Sequence, residues 1–155
     1  MYSIEHSCTC GKCKCTSDSI FATAKENGRK LTIKNKDGSR ICIIKLDGCV
    51  YQCGKGPSKC DYVFSFTSAD GEQKKVLFVE LKGGNVEEAY VQLESSINLY
   101  KNEIKDSKKE ALVIAKKCPR ADDSNTKKKK DYFADKHKTK LHLKTDEYIM
   151  NHSFT

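Results

Sequence analysis

The chain has 155 residues, and its 29 lysines and arginines outweigh 21 aspartates and glutamates to give a formal net charge of +8. That length supports one domain with a modest core, and there is no apolar run of about eighteen residues that could span a bilayer. The positive excess is uneven: residues 1–100 carry 14 basic and 12 acidic side chains, whereas residues 101–155 carry 15 and 9. A basic half of this kind suits a polyanionic partner, although a lysine-rich solvated surface accounts for the charge equally well.

The first segment, Met1 to His6, lacks the apolar core of a secretory signal, so a cytoplasmic location is expected. Nine cysteines, an odd count without such a signal, argue against a secreted disulfide framework. Cys8, Cys10, Cys13 and Cys15 are soft ligands that could hold a structural Zn2+, with Lys12 and Lys14 favouring their thiolates. An iron–sulfur cluster is the alternative, and a reduced leader is the plain reading. Structural zinc usually takes ligands from two separated segments, and the second would come from Cys49, Cys53 and Cys60 or from the tail. Residues 1–16 are therefore set apart as a short Cys-rich segment, and residues 17–155 as a single domain.

Thr16 to Asn27 (TSDSIFATAKEN) predicts a short helix, with apolar Ile20, Phe21 and Ala24 and a stop at Gly28. Strands are expected over Lys30 to Asn35 and Arg40 to Leu46, joined as a hairpin through Lys36-Asp37-Gly38-Ser39. Cys42 lies in the second of these and reads as a small buried apolar residue. Asp47-Gly48 and Gly54-Lys55-Gly56-Pro57 mark turns.

The segment Cys60 to Phe66 predicts a strand with Asp61 at its start. Lys75 to Lys82 predicts another, apolar enough to be buried on both faces and bounded by Gly83-Gly84. The polar connection Thr67 to Gln73 contains Asp70-Gly71, a hairpin signal, so the two strands are expected to be antiparallel neighbours. That pairing can bring Asp61 beside Glu80, while Lys82, two residues on, shares the face of Glu80. Buried charges need a partner. Two carboxylates and a lysine at one spot can hold a divalent cation and a water; a salt-bridge set at a sheet edge is the plain alternative.

From Val86 the apolar residues Val86, Ala89, Tyr90, Leu93, Ile97, Tyr100 and Ile104 fall on one helical stripe roughly 100° wide. Asn85 is the expected N-cap, and Glu87 and Glu88 favour the positive end of the helix dipole. Ala111 to Ala115 predicts a parallel strand reached by this crossover. Ala121 to Lys130 (ADDSNTKKKK) reads as an exposed loop, and Leu141-His142-Leu143 and Tyr148-Ile149-Met150 as short final strands. His6, His137, His142 and His152 form no spaced pair, which disfavours histidine-based chemistry.

An acid on a hairpin, an acid-x-lysine triplet at the end of a buried strand and a following amphipathic helix together resemble the PD-(D/E)xK nuclease superfamily. Asp61, Glu80 and Lys82 match its motif, and the segment from Asp47 to Ile97 is similar to its small resolvase- and restriction-type members. The resemblance covers roughly residues 17 to 117. Cys60 stands where the motif name has proline, a change that removes no ligand. The resemblance implies an α/β fold with a restriction-endonuclease-like core, a mixed central sheet flanked by helices, preceded here by the Cys-rich segment. It also implies a nuclease that hydrolyses phosphodiester bonds of nucleic acid, DNA by preference. Asp61, Glu80 and the Leu81 carbonyl would bind Mg2+ or Mn2+, and Lys82 would activate water. Gln92 is a candidate substrate contact on the helix, and Asp47 and Glu26 are rival suppliers of a further acid. Lys127, Lys128, Lys129 and Lys130 would meet backbone phosphates. A homodimer or a partner protein is a natural way to cut two strands. The alternative is a noncatalytic nucleic-acid-binding or adaptor module on a nuclease-like fold.

Overall fold

Alternation of side chains along the strands sorts the chain into three layers: two helices, a six-stranded mixed sheet and a three-stranded sheet. The computed structural model describes residues 13–16, 20–52, 54–82 and 84–154, the side chains of Lys14 and Thr16 excepted. In chain order these residues form β1 (Lys14–Thr16), β2 (Phe21–Glu26), β3 (Arg29–Asn35), β4 (Arg40–Lys45), β5 (Tyr62–Thr67) and β6 (Lys74–Lys82). Then come α1 (Val86–Tyr100), β7 (Lys108–Ala115), α2 (Ser124–His137), β8 (Thr139–Thr145) and β9 (Glu147–His152). The large sheet runs β1-β4-β5-β6-β7-β8 and the small one β2-β3-β9. None of the described helices is long and apolar enough to cross a membrane.

β6 is the central feature, with Lys75 to Leu81 all buried. Successive side chains point to opposite faces, so Val76 and Phe78 pack under α1 and α2 while Leu77, Val79 and Leu81 pack against the small sheet. The hairpin to β5 forms as expected, antiparallel and with Tyr62 opposite Val79. Its connection closes through Ser68 and Gln73, and the Asp70 carboxylate accepts from Ser68 Oγ and Glu72 N. β7 pairs parallel with β6, with Glu80 opposite Val113, as the crossover through α1 requires. The predicted cap is also present, because Asn85 Oδ1 accepts from Glu87 N at 3.0 Å and from Glu88 N at 3.3 Å.

Several expectations are corrected. Within the span expected as a Thr16–Asn27 helix, Phe21–Glu26 is instead strand β2, in which Ala22 and Ala24 point inward; Phe21 and the preceding Ile20 stay 53% and 62% exposed. Asn27 and Gly28, both at positive φ, close a two-residue turn into β3, which favours an antiparallel hairpin over a helix. β3 and β4 are both strands, but they do not pair with each other. The 36–39 turn carries the chain from the small sheet to the large one, so Leu31 and Ile33 face Ile41 across the core between the layers. The segment read as an exposed lysine loop is the first part of α2. Asp123 caps that helix by accepting from Thr126 N at 2.9 Å, and Phe133 anchors it against Tyr90. Both helices cover one face of the large sheet, and the small sheet rather than a further helix covers the other.

Cys42 is more than apolar filler. It is bonded to Cys15 across the in-register pair that joins β1 to β4. The bridge closes 27 residues of chain, which corresponds to about 3 kcal/mol of stabilisation through the unfolded state. Cys15→Ser should therefore lower the melting temperature by roughly 5–10 °C in thermal unfolding under oxidising conditions. An unchanged melting temperature would show that the bridge carries no stability.

Candidate functional site

The carboxylates meet because of strand register. Extending the β5–β6 pairing by one residue beyond Tyr62–Val79 sets Asp61 directly opposite Glu80. The pair then locks reciprocally: Asp61 N donates to Glu80 Oε2 at 3.0 Å, and Leu81 N donates to Asp61 Oδ2 at 2.9 Å. Each carboxylate is oriented by a backbone N–H on one oxygen, leaving the other oxygen for a further partner. The backbone around Asp61 is held as well, since its carbonyl accepts from Leu46 N and Cys60 N donates to Ser96 Oγ on α1 at 2.8 Å.

Lys82 completes the cluster. Its Nζ lies 3.8 Å from Glu80 Oε1 and 3.4 Å from Glu88 Oε1, and it donates to Gln92 Oε1 at 3.2 Å. Asp61 and Glu80 are 9% and 2% exposed. Burial is the main reason that both carboxyls titrate above their usual range; for Glu80 the Asp61 charge adds to the rise and Lys82 opposes it. Two buried acids side by side thus carry an unmet demand for positive charge.

The small sheet contributes the third side of the site, which the helical reading of residues 16–27 concealed. Asn27 Nδ2 donates to the Leu81 carbonyl at 3.1 Å, from the tip of the β2–β3 hairpin. The neighbouring Glu26 is held by Lys45 Nζ at 2.9 Å, and its charge acts on both Asp61 and Glu80. Lys45 also reaches Tyr62 Oη at 3.4 Å. The Asn27-Gly28 dipeptide was the available signal, because it is the strongest short-range hairpin marker. Of the two rival acids, Glu26 is therefore beside the site. Asp47 is committed to its own loop, where it accepts from Gly54 N and lies 3.5 Å from Lys59 Nζ.

The donor set fits a hard divalent cation. Asp61, Glu80 and the Leu81 carbonyl are all oxygen donors, and a carbonyl with two lone pairs can keep the Asn27 bond while accepting a second partner. Among the described residues no three His, Cys, Asp or Glu side chains form a metal-holding group, so such an ion would rely on this backbone oxygen and on water.

The remaining sequence candidates divide. Gln92 sits against Lys82. Lys128 and Lys129 border a concavity with Glu87 at the N-terminal end of α1, the end that also faces Lys82 through Glu88. Lys129 Nζ lies 5.4 Å from the ring centroids of both Tyr90 and Tyr132. Lys127 is exposed, and Lys130 borders a separate cleft beside β8. Cys8, Cys10 and Cys53 fall outside the described residues. Cys15 offers no thiolate while bonded to Cys42, and Cys13 Sγ lies 3.6 Å from Cys49 Sγ. Cys60 is buried, donates to the Tyr62 carbonyl and has its thiol pKa pushed far up by burial. Of the four-cysteine set only Cys13 and Cys15 are among the described residues, and Cys15 is bonded to Cys42 on β4. No family model, curated protein or solved structure matches the chain.

Proposed function

We propose that the protein is a metal-dependent nuclease of the PD-(D/E)xK type, with a restriction-endonuclease-like core and DNA as the preferred substrate. One observation supports this above the rest: Asp61, Glu80 and Lys82, identified from a short motif, lie together at the end of β6, with Glu26 and Asn27 facing them. A salt-bridge set would not require two adjacent buried carboxylates with one lysine between two acids and a glutamine.

Asp61, Glu80 and the Leu81 carbonyl would hold Mg2+ or Mn2+, which when bound supplies Lewis-acid polarisation of a phosphodiester and a more acidic water. The residues do the rest. The backbone N–H groups of Asp61 and Leu81 fix the carboxylates before substrate arrives, so little reorganisation is needed during the reaction. Lys82 holds its ammonium where an attacking water and the developing negative charge would lie, and it orients that water and offsets the charge. Gln92 and Glu88 restrict the swing of Lys82. The lysines on the first half of α2 provide phosphate contacts without reading base sequence.

The decisive experiment incubates labelled single- and double-stranded DNA and RNA with Mg2+, with Mn2+ and with EDTA. Metal-dependent cleavage of at least one substrate is expected. Binding without any cleavage under either metal would favour the noncatalytic adaptor reading instead.

A further inference from the structure

At the opposite end of α1 from the carboxylates, the chain builds a second concavity of about 320 Å3. Lys101 at the C-terminal end of α1, Lys105 in the following turn, Lys109 on β7, and Lys136 and Lys138 at the end of α2 surround it. Ile97 and Ile104 contribute an apolar floor, and among the described residues no acidic side chain lines it. Cations near the last turns of two helices partly answer the helix dipoles, but that explains neither their number nor their convergence from separate elements. Glu94 accounts for Lys136 and His137, with contacts of 3.1 and 2.9 Å. Lys101, Lys105 and Lys109 form no ion pair among the described residues, so at least three positive charges face one hollow that none of the described acids lines.

We infer that this hollow is a phosphate anchor, which holds the backbone of the same nucleic acid a few base pairs away from the cleavage site. The inference rests on the nuclease reading for its substrate class. On β7, Lys109 stands four residues before Val113, the partner of Glu80, hence roughly 13 Å from it at about 3.3 Å per residue. Along a B-form strand, with phosphates about 3.4 Å apart, that is roughly four base pairs. The lysines of α2 run between the two ends: Lys128 and Lys129 lie beside the N-terminus of α1, and Lys136 and Lys138 at the hollow. A duplex long enough to reach both ends gains the anchor, and a shorter one does not.

The test measures binding in EDTA, where no cleavage occurs, for a duplex of about twenty base pairs and a hairpin stem of about three. It compares wild type with Lys101→Glu/Lys105→Glu and with the milder Lys101→Gln/Lys105→Gln. Both lysines are exposed, and thermal unfolding of each variant confirms that it folds. The charge-reversed pair should bind the long duplex about tenfold more weakly, and its salt slope should fall by roughly two. The glutamine pair should lie between it and wild type, while the short stem is bound alike by all three. Equal affinity and salt slope for the long duplex in folded variants would overturn the anchor. So would saturable binding of inorganic phosphate at the hollow that the long duplex fails to displace, because the site would then serve a free anion. Cleavage of the short stem with Mg2+ separates the two ideas. If the stem is cut while the long-duplex affinities match, the anchor alone fails. If no substrate is cut while those affinities differ as expected, the nuclease reading alone fails.

Discussion

Glu80→Ala and Lys82→Ala should each lower Mg2+-dependent cleavage by at least about a hundredfold, the usual consequence of removing one group that stabilises developing charge. The two losses have different causes, and controls can separate them. Glu80 accepts from Asp61 N at 3.0 Å, so alanine also leaves a buried donor unsatisfied. Glu80→Gln keeps a carbonyl acceptor there and removes only the charge, so it should be equally inactive yet better folded. Lys82→Arg keeps a cation but replaces a compact ammonium with a planar fork. It should recover only part of the activity, because Nζ must fit between Glu80, Glu88 and Gln92. Gln92→Ala should cost about tenfold or less, since it acts on Lys82 and not on the phosphate. Wild-type rates for both Glu80→Gln and Lys82→Ala would remove these residues from the chemistry altogether.

Much of this site was legible in the sequence because it depends on local pattern. β5, β6 and α1 are consecutive, strongly periodic and punctuated by Asp70-Gly71 and Asn85, so their pairing and the approach of Asp61 to Glu80 follow from register. The rest depends on contacts distant in sequence. β2 carries only Ala22 and Ala24 on its inner face, a weak alternation that resembles part of a helical stripe until Asn27-Gly28 is read as a turn. α2 has almost no apolar periodicity, with only Thr126 and Phe133 buried. Its stability comes from the Asp123 cap, from good helix formers, and from Glu94 gathering Tyr132, Lys136 and His137. The pairing of Cys15 with Cys42 was hidden for the same reason, because cysteine spacing does not say which strand lies alongside which. The hairpin joining β3 to β4 failed differently. Its turn chemistry was right, but both strands carry apolar residues destined for one core, and facing each other across it buries those residues better than lying side by side.

Without added metal, the protein should lose stability as pH rises from about 6.5 to 8, and Glu80→Gln should remove most of that loss. The sign follows from proton uptake. Asp61 and Glu80 have folded-state pKa values raised by burial, and that of Glu80 is raised further by the Asp61 charge. In the unfolded chain both titrate near 4. Between the unfolded and folded values the folded state binds more protons, so their contribution is complete below the unfolded pKa and is lost as pH climbs through the folded one. His152 works the other way, since burial lowers its pKa to about 4. Its contribution rises with pH up to about 6.5 and is level above, which is why the window starts there. Glu94 and Glu110, held down to about 2, are ionised throughout it. Each unit of carboxyl pKa shift is about 1.4 kcal/mol, so the wild-type loss should be on the order of 2 kcal/mol, or roughly 5 °C in melting temperature. Glu80→Gln should accordingly be the more stable protein at pH 8 without metal. Mg2+ should reverse the order, because it stabilises only a chain that binds it, by about 2.7 kcal/mol at a hundred times its dissociation constant. Thermal unfolding at several pH values, with EDTA and with Mg2+, measures all of this. A metal-free wild type with a flat profile across the window, matched by Glu80→Gln, would mean that the two acids are not the strained pair described. A wild-type stability that falls across the window as expected but that Mg2+ leaves unmoved would mean that the pair is real but holds no cation.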